Sequence, residues 1–213
     1  MNRQRRQPKW LLTDIPELPS PSPANFSGAP DTVECHAFWD KFQMPENIRR
    51  HSQLVAHIAV TLAQMADRRN IPIDIQAVRA SALLHDIAKS WCLEHGGSHA
   101  FTGASWMTAE LHNFAISQGI ILHVHWPWPL PDGNAICCLP ILVFYADKRV
   151  RHDQCVTLEE RFDDLLIRYG KTREAKDNII ASSQQSARIE KALSKALGKE
   201  LHEDTFNCGW LVF

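Results

Sequence analysis

Ala82-Leu83-Leu84-His85-Asp86-Ile87-Ala88-Lys89 is the stretch on which the fold turns. A histidine and an acid interrupt an otherwise apolar, helix-forming run. Burying an ionised carboxylate without a partner costs on the order of several kcal/mol, comparable to the net stability of a whole domain. Something must compensate that charge. A divalent metal is the strongest candidate, because further histidines and a second isolated acid occur at corresponding places on neighbouring helices.

On the N-terminal side, His51, Leu54, Val55, Ile58 and Leu62 recur at three- and four-residue steps within 46–69. This spacing predicts an amphipathic helix with His51 inward and His57 on the opposite, solvated face. Asp74, after Pro72, caps a second helix expected to run through Ile75, Val78, Ala82 and Leu83 to Lys89. Lys89 then shares one side with His85 and Asp86. The loop Glu94-His95-Gly96-Gly97-Ser98 breaks the pattern, and a third helix begins near His99 with Gly103, Met107, Leu111 and Phe114 on one face.

The segment 123–133 (HVHWPWPLPDG) is too rich in proline for a helix and reads as a structured loop. It carries His123 and His125. Its tryptophans, Trp126 and Trp128, suit either pinning the loop to the core or stacking a nucleobase. Pro140 fits the first turn of a helix that places Val143, Phe144 and Asp147 on one apolar face. Asp147 is the second buried acid. Thr157-Leu158-Glu159-Glu160 is a capping box, followed by Phe162, Leu165, Leu166 and Tyr169 at helical steps. A last amphipathic helix, 173–201, docks through Ile179, Ile180, Leu193 and Leu197. Alternating strand patterns are nearly absent, so the fold class is all-α.

With 213 residues, 45% of them apolar, the chain fits one domain with extensions. Residues 1–30, with Arg3, Arg5, Arg6 and Lys9 followed by Pro16, Pro19, Pro21 and Pro23, read as a flexible arm. The domain proper spans 31–170 and a C-terminal helical extension spans 171–213. A net charge of −1 gives no reason to expect nucleic acid as a partner. The six cysteines lack paired CxxC spacing and no secretory leader is recognisable, which is read as reduced thiols in a cytoplasmic protein. No stretch approaches the ~20 apolar residues of a membrane span. The terminal Trp210-Leu211-Val212-Phe213 is apolar and open to packing on the body or to homodimer pairing.

His51, His85, Asp86 and Asp147 thus converge from three helices, offering two imidazole nitrogens and two carboxylates. Such a donor set suits Mn, Fe, Ni, Co or Zn better than Ca or Mg. His36, His95, His112, His152 and His202 lack a ligand-like context.

The order His51, then Leu84-His85-Asp86, then Asp147 resembles the HD-domain superfamily of metal-dependent phosphohydrolases over about residues 45–170. Tyr145-Ala146-Asp147-Lys148-Arg149-Val150 further resembles its HDIG-related bacterial branch, with Ile87-Ala88 in place of Ile-Gly. The resemblance implies an HD-domain helical bundle holding a catalytic metal. His99-Ala100-Phe101-Thr102-Gly103-Ala104 is similar to the H-x-x-x-G-A element that supplies a ligand to the second ion in dinuclear members. The other ligand would be His123, with His125 as the alternative, and Asp86 would bridge both ions. The alternative for His99 is that it lines the pocket of a mononuclear site.

The implied activity is hydrolysis of a phosphoester or phosphoanhydride in a small, nucleotide-like substrate by a metal-bound hydroxide, with one or two ions. Asp86 and Lys89 carry the catalysis in that reading. Lys89 steadies charge on the equatorial phosphate oxygens, and Arg50, Lys148 and Arg149 are weaker phosphate contacts. A di-iron oxygenase of the same fold and a non-catalytic nucleotide sensor are the competing readings.

Overall fold

Five helices begin at a side chain that accepts a hydrogen bond from a first-turn backbone N–H, satisfying one of the donors that a helix start leaves open. The caps and helices are Asp31 for α1 (Thr32–Lys41), Asp74 for α3 (Ile75–Leu84), Asn113 for α6 (Phe114–Leu122), Thr157 for α8 (Leu158–Tyr169) and Thr172 for α9 (Arg173–Leu197). The Asp31 and Thr157 caps are reciprocal capping boxes with Glu34 and Glu160. The remaining helices are α2 (Glu46–Asp67), α4 (Lys89–His95), α5 (His99–Leu111) and α7 (Leu139–Lys148). A two-residue antiparallel ribbon, β1 (Val150–Arg151) with β2 (Gln154–Cys155), is the sheet content of the described residues. The computed structural model describes residues 28–201, 203–206 and 208. The expected arm over 1–27, His202 and the apolar terminus Trp210–Phe213 lie outside them. Ala29 and Pro30, assigned to that arm, are buried, and Gln76 Nε2 donates to the Ala29 carbonyl at 2.8 Å.

The core lies among α2, α3, α6 and α7, which pack on one another. Leu54, Ile58 and Leu62 of α2, Leu84 of α3, Ile116 of α6 and Phe144 of α7 are fully buried. Each such side chain contributes roughly 1.5–3 kcal/mol of burial. α6 approaches α3 closely because Gly119 has no side chain: a Cβ there would collide with Ser81 Oγ and lie 2.5 Å from Leu139 Cδ2. Ser81 Oγ donates to the Ile116 carbonyl at 2.9 Å across the same contact. α1 is tied to α3 by Trp39 Nε1, which donates to the Leu83 carbonyl at 2.8 Å. α8 packs on α9, and α9 packs on α7. Among the described residues no helix is long and apolar enough to cross a membrane.

Several expectations need correction. The helix predicted to continue to Lys89 stops at Leu84, and 85–88 form tight turns with Ile87 N–H on Leu84 O and Lys89 N–H on Asp86 O. A new helix starts at Lys89. Phe114 does not share the face of Met107, because α5 ends at Leu111 and Phe114 opens α6, largely exposed. Tyr169 and Ile180 are also exposed rather than docked. His57 is half-buried instead of solvated, with Nε2–H donating to the Phe206 carbonyl at 2.7 Å.

Candidate metal centre

Each donor is placed by a helix end or a buried helix face. His51 sits on the core face of α2, His85 and Asp86 in the turns after α3, His99 at the first residue of α5, His123 just past α6, and Asp147 in the last turn of α7. His85 and His123 occupy the same local situation. Each donates Nδ1–H to the carbonyl three residues back, His85 to Ala82 at 2.7 Å and His123 to Ile120 at 2.6 Å. Helix C-termini leave such carbonyls open, so the bond satisfies the helix and fixes the ring tautomer together. His51 Nδ1 makes the equivalent bond to the His152 carbonyl at 2.9 Å. All three rings therefore turn Nε2, the nitrogen a cation would take, toward the centre.

The Nε2 atoms and the carboxylate oxygens form two groups around Asp86. In the first, His51 Nε2 is 3.1 Å from Asp147 Oδ1, and His85 Nε2 is 3.7 Å from the same oxygen and 3.4 Å from Asp86 Oδ2. In the second, Asp86 Oδ1 is 3.3 Å from His99 Nε2 and 3.7 Å from His123 Nε2, with the two imidazole nitrogens 3.1 Å apart. Donors bound to a transition metal at ~2.1 Å lie roughly 3.0–3.4 Å from one another, so both groups approach the spacing of a coordination shell. His85 Nε2 and Asp86 Oδ1 are buried and make no hydrogen bond, so two polar atoms aim at the centre without a partner in the protein. The donor set fits a divalent transition metal.

Charge is arranged to match. Burial opposes ionisation of Asp86, but Lys89, His85 and His123 outweigh it and hold the carboxyl well below the usual carboxylate range. Burial also opposes the charge on Asp147, where Lys148, His51 and His85 prevail in the same direction. Burial, aided by the neighbouring His85 charge, pushes His123 well below the ordinary imidazole range, and burial pushes His99 down as well. Both are thereby kept in the neutral form a metal requires. On His85, burial is outweighed by Asp86 and Asp147, which raise its pKa. Lys89 Nζ lies 2.6 Å from Asp86 Oδ2, and Lys148 Nζ lies 2.7 Å from Asp147 Oδ2. Adjacent Lys148 and Asp147 thus form an ion pair.

The structure brings together His51, His85, Asp86, His99, His123, Asp147, Lys89 and Lys148. His125 is exposed and lies apart from this cluster, although it borders the same cavity. Arg50 borders that cavity too, 3.5 Å from Asp153. Arg149 does not reach it. Its guanidinium is buried against the Tyr145 hydroxyl at 2.6 Å and the Val156 carbonyl at 2.8 Å, so it holds α7 to the ribbon and α9 instead. Trp126 is buried and donates from Nε1 to the Pro129 carbonyl, while its backbone N–H donates to Gln185 Oε1 of α9 and its carbonyl accepts from Gln185 Nε2. That matches the loop-pinning alternative, and neither tryptophan borders the main cavity.

The cavity over the donors measures about 1170 Å³. Its wall includes residues the sequence reading passed over: Arg161 and Arg168 of α8, and Ser182, Gln185 and Arg188 of α9. A charged residue on the buried stripe of α8, Arg161 beside Phe162, was the signal available in the sequence. His152 was also missed, because its contribution is a backbone carbonyl.

Searches of curated proteins and of solved structures found no match to the chain. Residues 48–151 match the family model of the HD domain, a segment that contains His51, the His85-Asp86 pair, His99, His123 and Asp147. On that match and this helical fold, residues 48–151 are an HD domain.

Proposed function

We propose that this protein is a metal-dependent phosphohydrolase that cleaves a phosphoester or phosphoanhydride bond, in a nucleotide-like substrate, at a dinuclear centre. The observation that carries the reading is Asp86, whose Oδ2 faces His85 and whose Oδ1 faces His99 and His123. One carboxylate turned toward two donor groups is the arrangement a bridging ligand requires. In this reading His51, His85, Asp86 and Asp147 hold one ion, and Asp86, His99 and His123 hold the other. Two such ions would supply Lewis acidity and lower the pKa of an attacking water.

The protein's own residues supply the rest. Lys89 and Lys148 bring positive charge to the rim of the donor cluster, where it steadies negative charge gathering on the phosphoryl oxygens. Arg50 adds a third cation at the cavity wall. The buried turn 85–88 keeps Asp86 away from bulk water, so the bridge is not diluted by hydration. A cavity of about 1170 Å³ exceeds what a bare phosphate fills and suits a nucleotide-sized ligand.

The test is metal-dependent release of phosphate across a panel of nucleotides, dinucleoside polyphosphates and simple esters, with protein loaded separately with Mn, Fe, Co, Ni or Zn. Turnover of at least one phosphate compound with a metal, and none after chelation, is the expected result. A di-iron oxygenase would instead consume oxygen when anaerobically iron-loaded protein is exposed to air and substrate. Nucleotide binding without turnover across the whole panel would leave the sensor reading.

A further inference from the structure

The HD-domain match ends at residue 151, yet much of the cavity wall lies beyond it. On α8 the cavity-lining residues are Arg161, Phe162, Leu165, Arg168 and Tyr169, a single helical stripe. On α9 they include Ser182, Gln185 and Arg188, again one stripe. Both stripes mix apolar residues with Arg161, Arg168, Gln185 and Arg188, and basic side chains kept on a cavity wall that apolar residues alone would close shape a space for a polar ligand.

Arg161 is the most telling member. It is 9% exposed and its Nε is buried without a hydrogen bond. Its ion pair with Asp164 spans 3.8 Å, beyond hydrogen-bonding distance, whereas Arg168 takes the same carboxylate at 3.2 Å. Burying a guanidinium with a donor unused is unfavourable unless an anion completes the arrangement. The planar fork of arginine suits phosphoryl and carboxylate oxygens alike.

We infer that Arg161, assisted by Arg188 of the same cavity wall, forms a second anion position, so that the substrate carries another anionic group besides the phosphoryl group at the metal centre. This rests on the reading of that centre as the place of the scissile phosphate. The selectivity-giving half of the cavity then belongs to α8 and α9, outside the segment that holds the metal donors. A simple phosphomonoester of a neutral alcohol would leave Arg161 unfilled.

The test uses non-hydrolysable ligands on the metal-replete full chain, with affinity measured by calorimetry. Methylphosphonate carries one anion. Alkane diphosphonates with one to four methylene spacers carry two, and the matching phosphonocarboxylates replace the second phosphonate by a carboxylate. At least one two-anion series should bind about tenfold or more tightly than methylphosphonate, as expected for a charge-assisted pair. The series that does so names the second group.

Arg161→Gln should abolish that advantage while leaving methylphosphonate binding, metal content and melting temperature near those of the parent, and Arg161→Lys should restore part of it. Arg188→Gln, at an exposed position where folding is not at risk, should weaken the two-anion ligands selectively. Equal affinity for one and two anions in the parent, or an equal loss for every ligand in both glutamine variants, would overturn the inference. Because nothing is hydrolysed, the result stands apart from the activity screen: two-anion selectivity without turnover on any phosphate compound sinks the hydrolase reading and not this one.

Discussion

His99 Nε2 stands 3.3 Å from Asp86 Oδ1, although the two residues belong to different helical segments separated by α4 and a glycine loop. The contact is not a hydrogen bond, since Asp86 Oδ1 has none, and it makes sense as two donors awaiting one cation. His99→Ala should therefore lower metal content from about two to about one ion per chain, the number at a two-metal site less one. Elemental analysis after gel filtration reads this directly, and unchanged stoichiometry would establish a mononuclear centre. Asp86→Ala should release nearly all metal; full retention would falsify the bridging assignment.

Lys89 reaches Asp86 from the next turn of chain with its Nζ 2.6 Å from Oδ2, while its side chain keeps 36% of its surface in solvent. Burial would lower its pKa, but Asp86 and Asp147 outweigh burial and hold the ammonium charged. Lys89→Met should leave metal content intact and reduce turnover by about 10²–10³-fold, the usual cost of removing one group that stabilises transition-state charge. An unchanged rate on the best phosphate substrate would remove Lys89 from the mechanism.

Stripping the metal should destabilise the protein, because Asp86, Asp147 and the orphaned His85 Nε2 are buried donors. Saturation at 100 times Kd contributes about 2.7 kcal/mol, which for a chain of this size corresponds to about 5–11 °C in melting temperature. Calorimetric scans with and without chelator measure the difference. Coincident melting curves in a preparation shown to bind metal would mean that the donors are equally accommodated without it.

Away from the centre, Gly119→Ala should destabilise the fold by about 1–3 kcal/mol, the usual cost of overpacking. The new Cβ would meet Ser81 Oγ and Leu139 at the crossing of α3 and α6. Because His85 and His123 leave the ends of those same helices, metal affinity should fall as well. Chemical denaturation and a competitive metal titration on the variant check the two effects separately.

Most of the scaffold was legible in the sequence where a helix has one apolar face or a recognisable cap. α2 showed its inward His51, α7 its Pro140 and Asp147, and α8 its Thr157 capping box. α6 escaped notice because Phe-Ala-Ile-Ser-Gln-Gly-Ile-Ile-Leu is apolar on nearly every side, so periodicity selects no face. The break after Leu84 was equally hidden. The residues from Ala82 to Lys89 all tolerate a helix, and only the placement of His85 and Asp86 among donors set by α2, α5, α6 and α7 favours tighter turns there. Of the site, side chains in sequence motifs could be found in advance. The Arg161 position depends on how α8 packs against α9, and the His152 carbonyl depends on a ribbon two residues wide. Neither leaves a residue-type signature.

The tethering of His51, His85 and His123 through Nδ1 to main-chain carbonyls makes the geometry of the centre a matter of chain register. Substituting a neighbouring side chain leaves those tethers in place. Deleting or inserting one residue between Ala82 and His85, or between Ile120 and His123, would turn the imidazole by about 100° around the helix axis and break tether and donor together. The tethers of His85 and His123 are therefore indifferent to which side chains the residues between them and their carbonyls carry, but not to how many residues there are.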